Sequence, residues 1–169
     1  EAVIPAHLGA SSQPGRGLPV PLDVHEVVCP GRSLPGRLIH IPVDGDRMLT
    51  TRDAYPPSSL PEHLVVIGSG VTGVEFVHMF KSFGSEVTLI VSRQQVLPLK
   101  DPEVDAALEA DFLARGVHLL KGAKALSGTV GADGVTIECT DGRVVHGSHA
   151  LLAIGSIPNT DNLGLSDVG

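Results

Sequence analysis

The sequence predicts an α/β fold: a parallel sheet flanked by helices, with a three-stranded antiparallel meander inserted late in the chain. Three observations predict it. Short apolar runs alternate with stretches of helical periodicity between residues 63 and 120. Two Asp-Gly turns then divide three short strand-like runs. A last apolar run, His149–Ile154, completes the order βαβαβ, meander, β.

Each element has its own signal. The first strand is Leu64–Ile67, and a helix follows from about Val71 to Phe83. Its apolar residues Val71, Val74, Val77 and Phe80 recur at helical spacing, so Val71 reads as core packing unless a ligand lies above it. Gly84 ends the helix, as a left-handed cap position prefers. The second strand is Glu86–Val91. Asp101-Pro102-Glu103 opens a second helix with an N-cap, a proline at the first helical position and an acid in the first turn. That helix is expected to turn Val104, Leu108, Phe112 and Leu113 inward and to end at Gly116, before a third strand at Val117–Leu120. The meander runs occupy about 123–130, 134–139 and 143–147.

Between the first strand and the first helix stands Gly68-Ser69-Gly70-Val71-Thr72-Gly73, a G-x-G-x-x-G motif in the context it needs. Gly68 permits the tight turn, Gly70 lets the backbone approach a pyrophosphate, and Gly73 allows close helix–strand packing. The free N–H groups and positive dipole end of the helix then receive phosphate charge. Alone the motif is weak evidence, because glycine-rich turns are common. With strand, helix and second strand in register it points to a Rossmann-like, dinucleotide-binding unit.

Bulk properties narrow the rest. The chain of 169 residues has a formal net charge of −7 and no concentration of Lys or Arg, which argues against nucleic acid. No apolar run approaches membrane-spanning length, and no signal peptide is visible. Cys29 and Cys139 form no C-x-x-C pair, and no histidine has a partner at ligand spacing, so no metal is suggested. The cysteines read as reduced thiols of a cytoplasmic protein. Nine of the thirteen prolines fall in the first sixty residues. Residues 1–41 accordingly read as a Pro/Gly-rich, irregular lead-in that need not be native sequence. Residues 42–61 read as a connector, 62–160 as the nucleotide-binding domain and 161–169 as the start of a return to another domain. The start at Glu1 and the stop at Gly169 read as those of an internal fragment.

The end of the second strand bears on which nucleotide is bound. A unit that binds NAD carries an acid there, about 20 residues past the glycines, to hold the ribose hydroxyls. Here the strand ends Val91-Ser92-Arg93-Gln94, with a hydroxyl and a guanidinium in place of a carboxylate. Arg93 can give a 2′-phosphate charge-assisted hydrogen bonds. The alternative is an ordinary solvated arginine. The missing acid points to NADPH, or to use of both nucleotides. Glu75, two residues past Gly73, is read either as a carboxylate near a nicotinamide or as simple complement to the helix dipole.

With these residues assembled, the chain resembles the NAD(P)-binding domain of the flavoprotein pyridine nucleotide-disulfide oxidoreductases. Three stretches carry the likeness: Arg47–Tyr55 through Leu60-Pro61, similar to the connector from the FAD domain; Val65–Phe76, similar to the extended glycine motif with Glu75; and Ala153–Thr160 with Asn162–Leu165, similar to the segment that closes the nucleotide domain. Within the family it looks closest to soluble transhydrogenase and the flavoprotein quinone reductases. Val91, where dihydrolipoamide dehydrogenases carry glutamate, and Ser156, where many members carry arginine, depart from the pattern.

The resemblance implies roles. The backbone of Gly68, Ser69, Gly70, Val71, Thr72, Gly73, Val74 and Glu75 would hold the pyrophosphate. Ser92 and Arg93 would face the adenosine ribose or its phosphate, Ala125 the adenine, and Gly155 the nicotinamide path. Val71 would be the small residue beside a flavin. The implied function is hydride transfer from NADPH or NADH to FAD, then to a quinone, disulfide or second nucleotide. A homodimer is implied for the full-length protein, with its FAD and C-terminal domains outside this stretch. A non-catalytic NAD(P)-binding module is the alternative. A soluble dehydrogenase without flavin is disfavoured, because the meander stands where such enzymes place a helix.

Overall fold

The computed structural model describes residues 41–157 and the two-residue strand at 26–27. The readings for most of the lead-in, for Cys29 and for the stretch after residue 157 lie outside the described residues. The strands are β1 (Glu26–Val27), β2 (Met48–Thr50), β3 (His63–Ile67), β4 (Glu86–Val91), β5 (His118–Lys121), β6 (Ala125–Gly131), β7 (Gly134–Cys139), β8 (Val144–Gly147), β9 (His149–Leu152) and β10 (Ser156–Ile157). The helices are α1 (Val71–Phe83) and α2 (Pro102–Ala114).

A five-stranded parallel sheet in the order β2-β9-β3-β4-β5 forms the centre. The expected parallel sheet, helices and separate β6-β7-β8 antiparallel meander are all present. Because both faces of the sheet are covered, its strands are apolar without alternation. In β3, Leu64 and Val66 face the helices, joining Val74, Val77, Phe80 and Phe112. Val65 and Ile67 face the meander, joining Ala125, Val135, Ile137 and Cys139. Both sets are almost wholly buried. The residues read as a connector also contribute β2, the edge strand beside β9, and Met48 and Leu49 are buried there. One lead-in segment is described: β1 pairs antiparallel with β10.

Helix α1 has the predicted bounds, with Gly84 at φ 99° as its left-handed cap. Its buried residues are Gly73, Val74, Val77 and Phe80; Val71 is 52% exposed and belongs to no core. The packing reading of Val71 is thereby corrected. It is the first residue of the helix, four residues past the end of β3.

Helix α2 departs from expectation more instructively. Asp101 caps it by accepting a hydrogen bond from Glu103 N at 2.8 Å, as predicted. Phe112 is buried and Leu108 packs on the same core, but Val104 and Leu113 are more than half exposed. The helix lies over the edge strand β5, so only a narrow stripe through 105, 108, 109 and 112 turns inward. Val104 and Leu113 fall on its flanks, and Asp105 takes a buried place.

Candidate functional site

The C-terminal ends of β3, β4, β5 and β9 lie side by side, and the chain steps from β3 to β4 on one side and is met by β9 on the other. Crevices at such switch points are where open α/β sheets bind ligands. The loop after β3 is the glycine turn. Gly68 takes φ +110°, and a Cβ there would collide with the Ala153 carbonyl oxygen. A Cβ on Gly73 would collide with the Gly68 carbonyl oxygen, so the helix can approach the turn this closely only with glycine. Gly70 differs: nothing lies within 4 Å of a Cβ built on it. Two glycines are therefore required by the fold itself, and the third leaves open room where the backbone is accessible.

That opening faces the start of α1. Gly70 is the N-cap, no side chain caps the helix, and the first turn carries no acid. The amides of Val71, Thr72 and Gly73 precede the first helical hydrogen bond, from Val74 N to Gly70 O at 3.1 Å. They and the dipole form an anion-receptive end. The donor set and the cleared space at Gly70 fit a pyrophosphate. Glu75 is exposed and sits beyond the first turn, which weakens its reading as a dipole partner.

The loop after β4 forms the next part of the rim. Val91 is buried, whereas Ser92 and Arg93 are exposed. Among the described residues nothing pairs with the Arg93 guanidinium. The backbone under it is pinned: Gly122 N donates to Arg93 O at 2.9 Å and Ala123 N to Val91 O at 3.1 Å. Ala125, at the start of β6, has its methyl in the meander core and is 3% exposed. Any ligand contact there would come through the neighbouring backbone. Gly155, exposed at φ +119°, follows β9 on the opposite side of the glycine turn. The predicted residues thus line one edge of the sheet, with Ser69, Gly73, Val74 and Ala125 withdrawn into it and the others at its surface.

Sequence reasoning missed the segment that joins these parts. Residues 92–100 form an irregular loop in which Leu97 and Leu99 adopt φ 51° and 68°. Left-handed backbone is unfavourable for such residues, so no glycine marks the turn. Leu97 N donates to Ser69 O at 2.8 Å, tying the loop to the glycine turn. Val96 is fully buried, and its N–H donates to Glu109 Oε1 at 3.2 Å.

The fold defines a Rossmann-type class of domain. A profile of the pyridine nucleotide-disulphide oxidoreductases matches residues 25–169, and the chain belongs to that family. It is 51% identical over 126 residues to an NAD(P)H dehydrogenase (quinone) of Mycobacterium tuberculosis, covering 75% of this chain and 26% of that protein. It is 34% identical over 152 residues to a dihydrolipoyl dehydrogenase of Zymomonas mobilis, covering 88% of this chain and 33% of the relative. The crystal structure of LpdA from Mycobacterium tuberculosis superposes with a TM-score of 0.69 at 48% identity, over 83% of this chain and 30% of that one. The chain therefore spans about a quarter to a third of the length of these relatives.

Proposed function

We infer that this chain is the nucleotide-binding part of an FAD-dependent NAD(P)H oxidoreductase. When bound, the cofactors supply the hydride chemistry; the chain's residues bind, orient and shield them. In this reading the backbone from Gly68 to Glu75 cradles the pyrophosphate, with the amides of Val71, Thr72 and Gly73 as donors. Ser92 and Arg93 meet the adenosine ribose, the backbone near Ala125 borders the adenine, and Gly155 borders the nicotinamide. Val71, exposed at the head of α1, is the surface a flavin would meet. The electrons would pass on to a quinone, a disulfide or a second nucleotide. The quinone is favoured by the 51% identity to a quinone-linked relative. A cytoplasmic homodimer for the full-length protein rests on the family resemblance alone.

NADPH is the favoured nucleotide. The observation that carries this is the exposed, unengaged Arg93 beside Ser92 at the end of β4, with no carboxylate at that strand end. Calorimetric titration of the chain with NADPH and NADH tests it. NADPH should bind more tightly, and Arg93→Ala should weaken NADPH alone by about 1.5–3 kcal/mol, the value of hydrogen bonds to a charged group. Equal or tighter NADH binding, or an Arg93→Ala variant with unaltered NADPH affinity, would defeat the 2′-phosphate role. The chain mixed with FAD should not turn NADPH over, and measurable turnover would contradict its assignment as the nucleotide-binding part only.

A further inference from the structure

We propose that Glu109 on α2 is a positioning residue for the nucleotide site, holding the loop 92–100 at the distance from the glycine turn that the nucleotide needs. The proposal rests on the nucleotide-binding reading above and concerns a residue outside the glycine motif and the ribose edge.

The carboxylate uses both oxygens. Oε1 accepts from Val96 N at 3.2 Å, and Oε2 accepts from Lys121 Nζ at 2.7 Å. The side chain is only 16% exposed, so the Lys121 contact is a partly buried, charge-assisted one rather than a solvated surface pair. Lys121 is the last residue of β5, directly before the Gly122 whose N–H holds Arg93 O. Glu109 thus joins α2 and the end of β5 to the middle of the loop.

From Val96 the connection continues into the site in two directions. The next residue, Leu97, donates to Ser69 O inside the glycine turn at 2.8 Å. Three residues earlier stands Arg93, with its backbone fixed from the β5 side. The loop 92–100 has no helix or strand to set its path, and it contains two leucines in left-handed backbone, Leu97 and Leu99. A conformation of that kind persists only where its surroundings over-determine it. At Val96 the buried side chain and the Glu109 bond to its amide join the loop's own ties, Lys100 N to Leu97 O and Gln95 Nε2 to Lys100 O, both at 3.1 Å. Loss of the bond should let Val96 and Leu97 relax together, moving the Ser69 turn and the Arg93 edge at once. Both nucleotides should then be affected, unlike the Arg93 substitution, which discriminates between them.

Three variants separate positioning from plain stability. Glu109→Gln keeps an acceptor for Val96 N and removes the ion pair; Lys121→Met removes the ion pair and leaves the Val96 bond; Glu109→Ala removes both. Amide hydrogen exchange and calorimetric Kd values for NADPH and NADH are measured on this chain, below its melting temperature. In Glu109→Ala, exchange at Val96 and Leu97 should quicken about tenfold or more. Both Kd values should rise about two- to tenfold, the worth of one hydrogen bond. Glu109→Gln and Lys121→Met should keep both properties near wild type, even if their melting temperatures fall. Wild-type Kd values in Glu109→Ala, or equal Kd losses in Lys121→Met, would overturn the proposal and leave the nucleotide reading intact. If the wild-type chain binds neither nucleotide, the nucleotide reading fails and this proposal with it.

Discussion

Gly70 and Gly73 stand three residues apart in one motif yet answer to different demands. Gly70 has φ −70°, open to any residue, and empty space where a Cβ would sit. Gly73 has the Gly68 carbonyl in that place. Gly73→Ala should therefore cost stability, about 1–3 kcal/mol or more as overpacking against rigid backbone, read as a lower melting temperature. Gly70→Ala should cost less, up to about 1 kcal/mol because alanine is a poorer N-cap than glycine, but should lose nucleotide affinity, because its methyl would enter the space the phosphates need. Equal thermal losses in both variants would contradict this division. The spacing alone made the three glycines legible, though only Gly68 and Gly73 sit where a Cβ would collide. Leu97 and Leu99 were not legible, because nothing in a leucine announces left-handed backbone; the ties at this point of the loop, Leu97 N to Ser69 O and Val96 N to Glu109 Oε1, span 28 and 13 residues.

At the scale of elements, α1 and α2 show why one helix was read correctly and the other only in part. The buried stripe of α1 is apolar throughout, so its period reveals its face. In α2 the inward stripe includes Asp105, whose Oδ1 is buried without a hydrogen-bond partner among the described residues. A polar residue on the inner face disguises the period, and Val104 and Leu113 mimic a stripe beside it. Burial, followed by the neighbouring Glu109 carboxylate, raises the Asp105 pKa above the ordinary aspartate value, against a smaller lowering by Lys121. A raised carboxyl pKa means that the native state holds its proton more tightly than the unfolded chain. The stabilisation is complete below the unfolded value near 3.8 and is lost as pH rises through the folded one. Asp105→Asn should therefore melt higher than wild type at pH 8, with the advantage fading toward pH 4. The N-terminal dipole opposes this by about 0.3–1 kcal/mol, less than the roughly 1–3 kcal/mol cost of a buried unsatisfied group. A variant that melts lower than wild type at pH 8 would show that the dipole wins.

Across the whole molecule, the glycine turn and two partly buried histidines occupy opposite ends of the sheet. The C-terminal edge carries the glycine turn, Arg93 and Gly155. At the N-terminal edge stand His63 on β3 and His149 on β9, with His63 Nε2 2.9 Å from Thr88 Oγ1 and His149 Nδ1 3.0 Å from Ser148 Oγ. Burial is the leading cause that lowers both imidazole pKa values below the ordinary 6.5. For His63, Glu86 opposes and His118 adds to that lowering; for His149, Arg47 adds to it while Asp46 and Asp44 oppose. Depressed histidines contribute stability that is present above pH 6.5 and lost as pH falls through their folded values. The melting temperature should thus drop between pH 7.5 and pH 5, and a His63→Gln, His149→Gln double variant should flatten that slope; an unchanged slope would exclude these two as the cause. The parallel core, the meander and the motif were legible because apolar period and Asp-Gly turns report them locally. The edge strand β2 was not, because three residues carry no period and gain their place only by pairing with β9, some hundred residues on. The central claim is that nucleotide binds across the C-terminal ends of β3 and β4. It is tested most directly by titrating the isotope-labelled chain with NADPH and following backbone amide resonances. Saturable shifts should converge on Gly70–Glu75 and on Ser92–Arg93, with the meander strands β7 and β8 unmoved. No saturable shift, or shifts centred on the meander, would contradict the account.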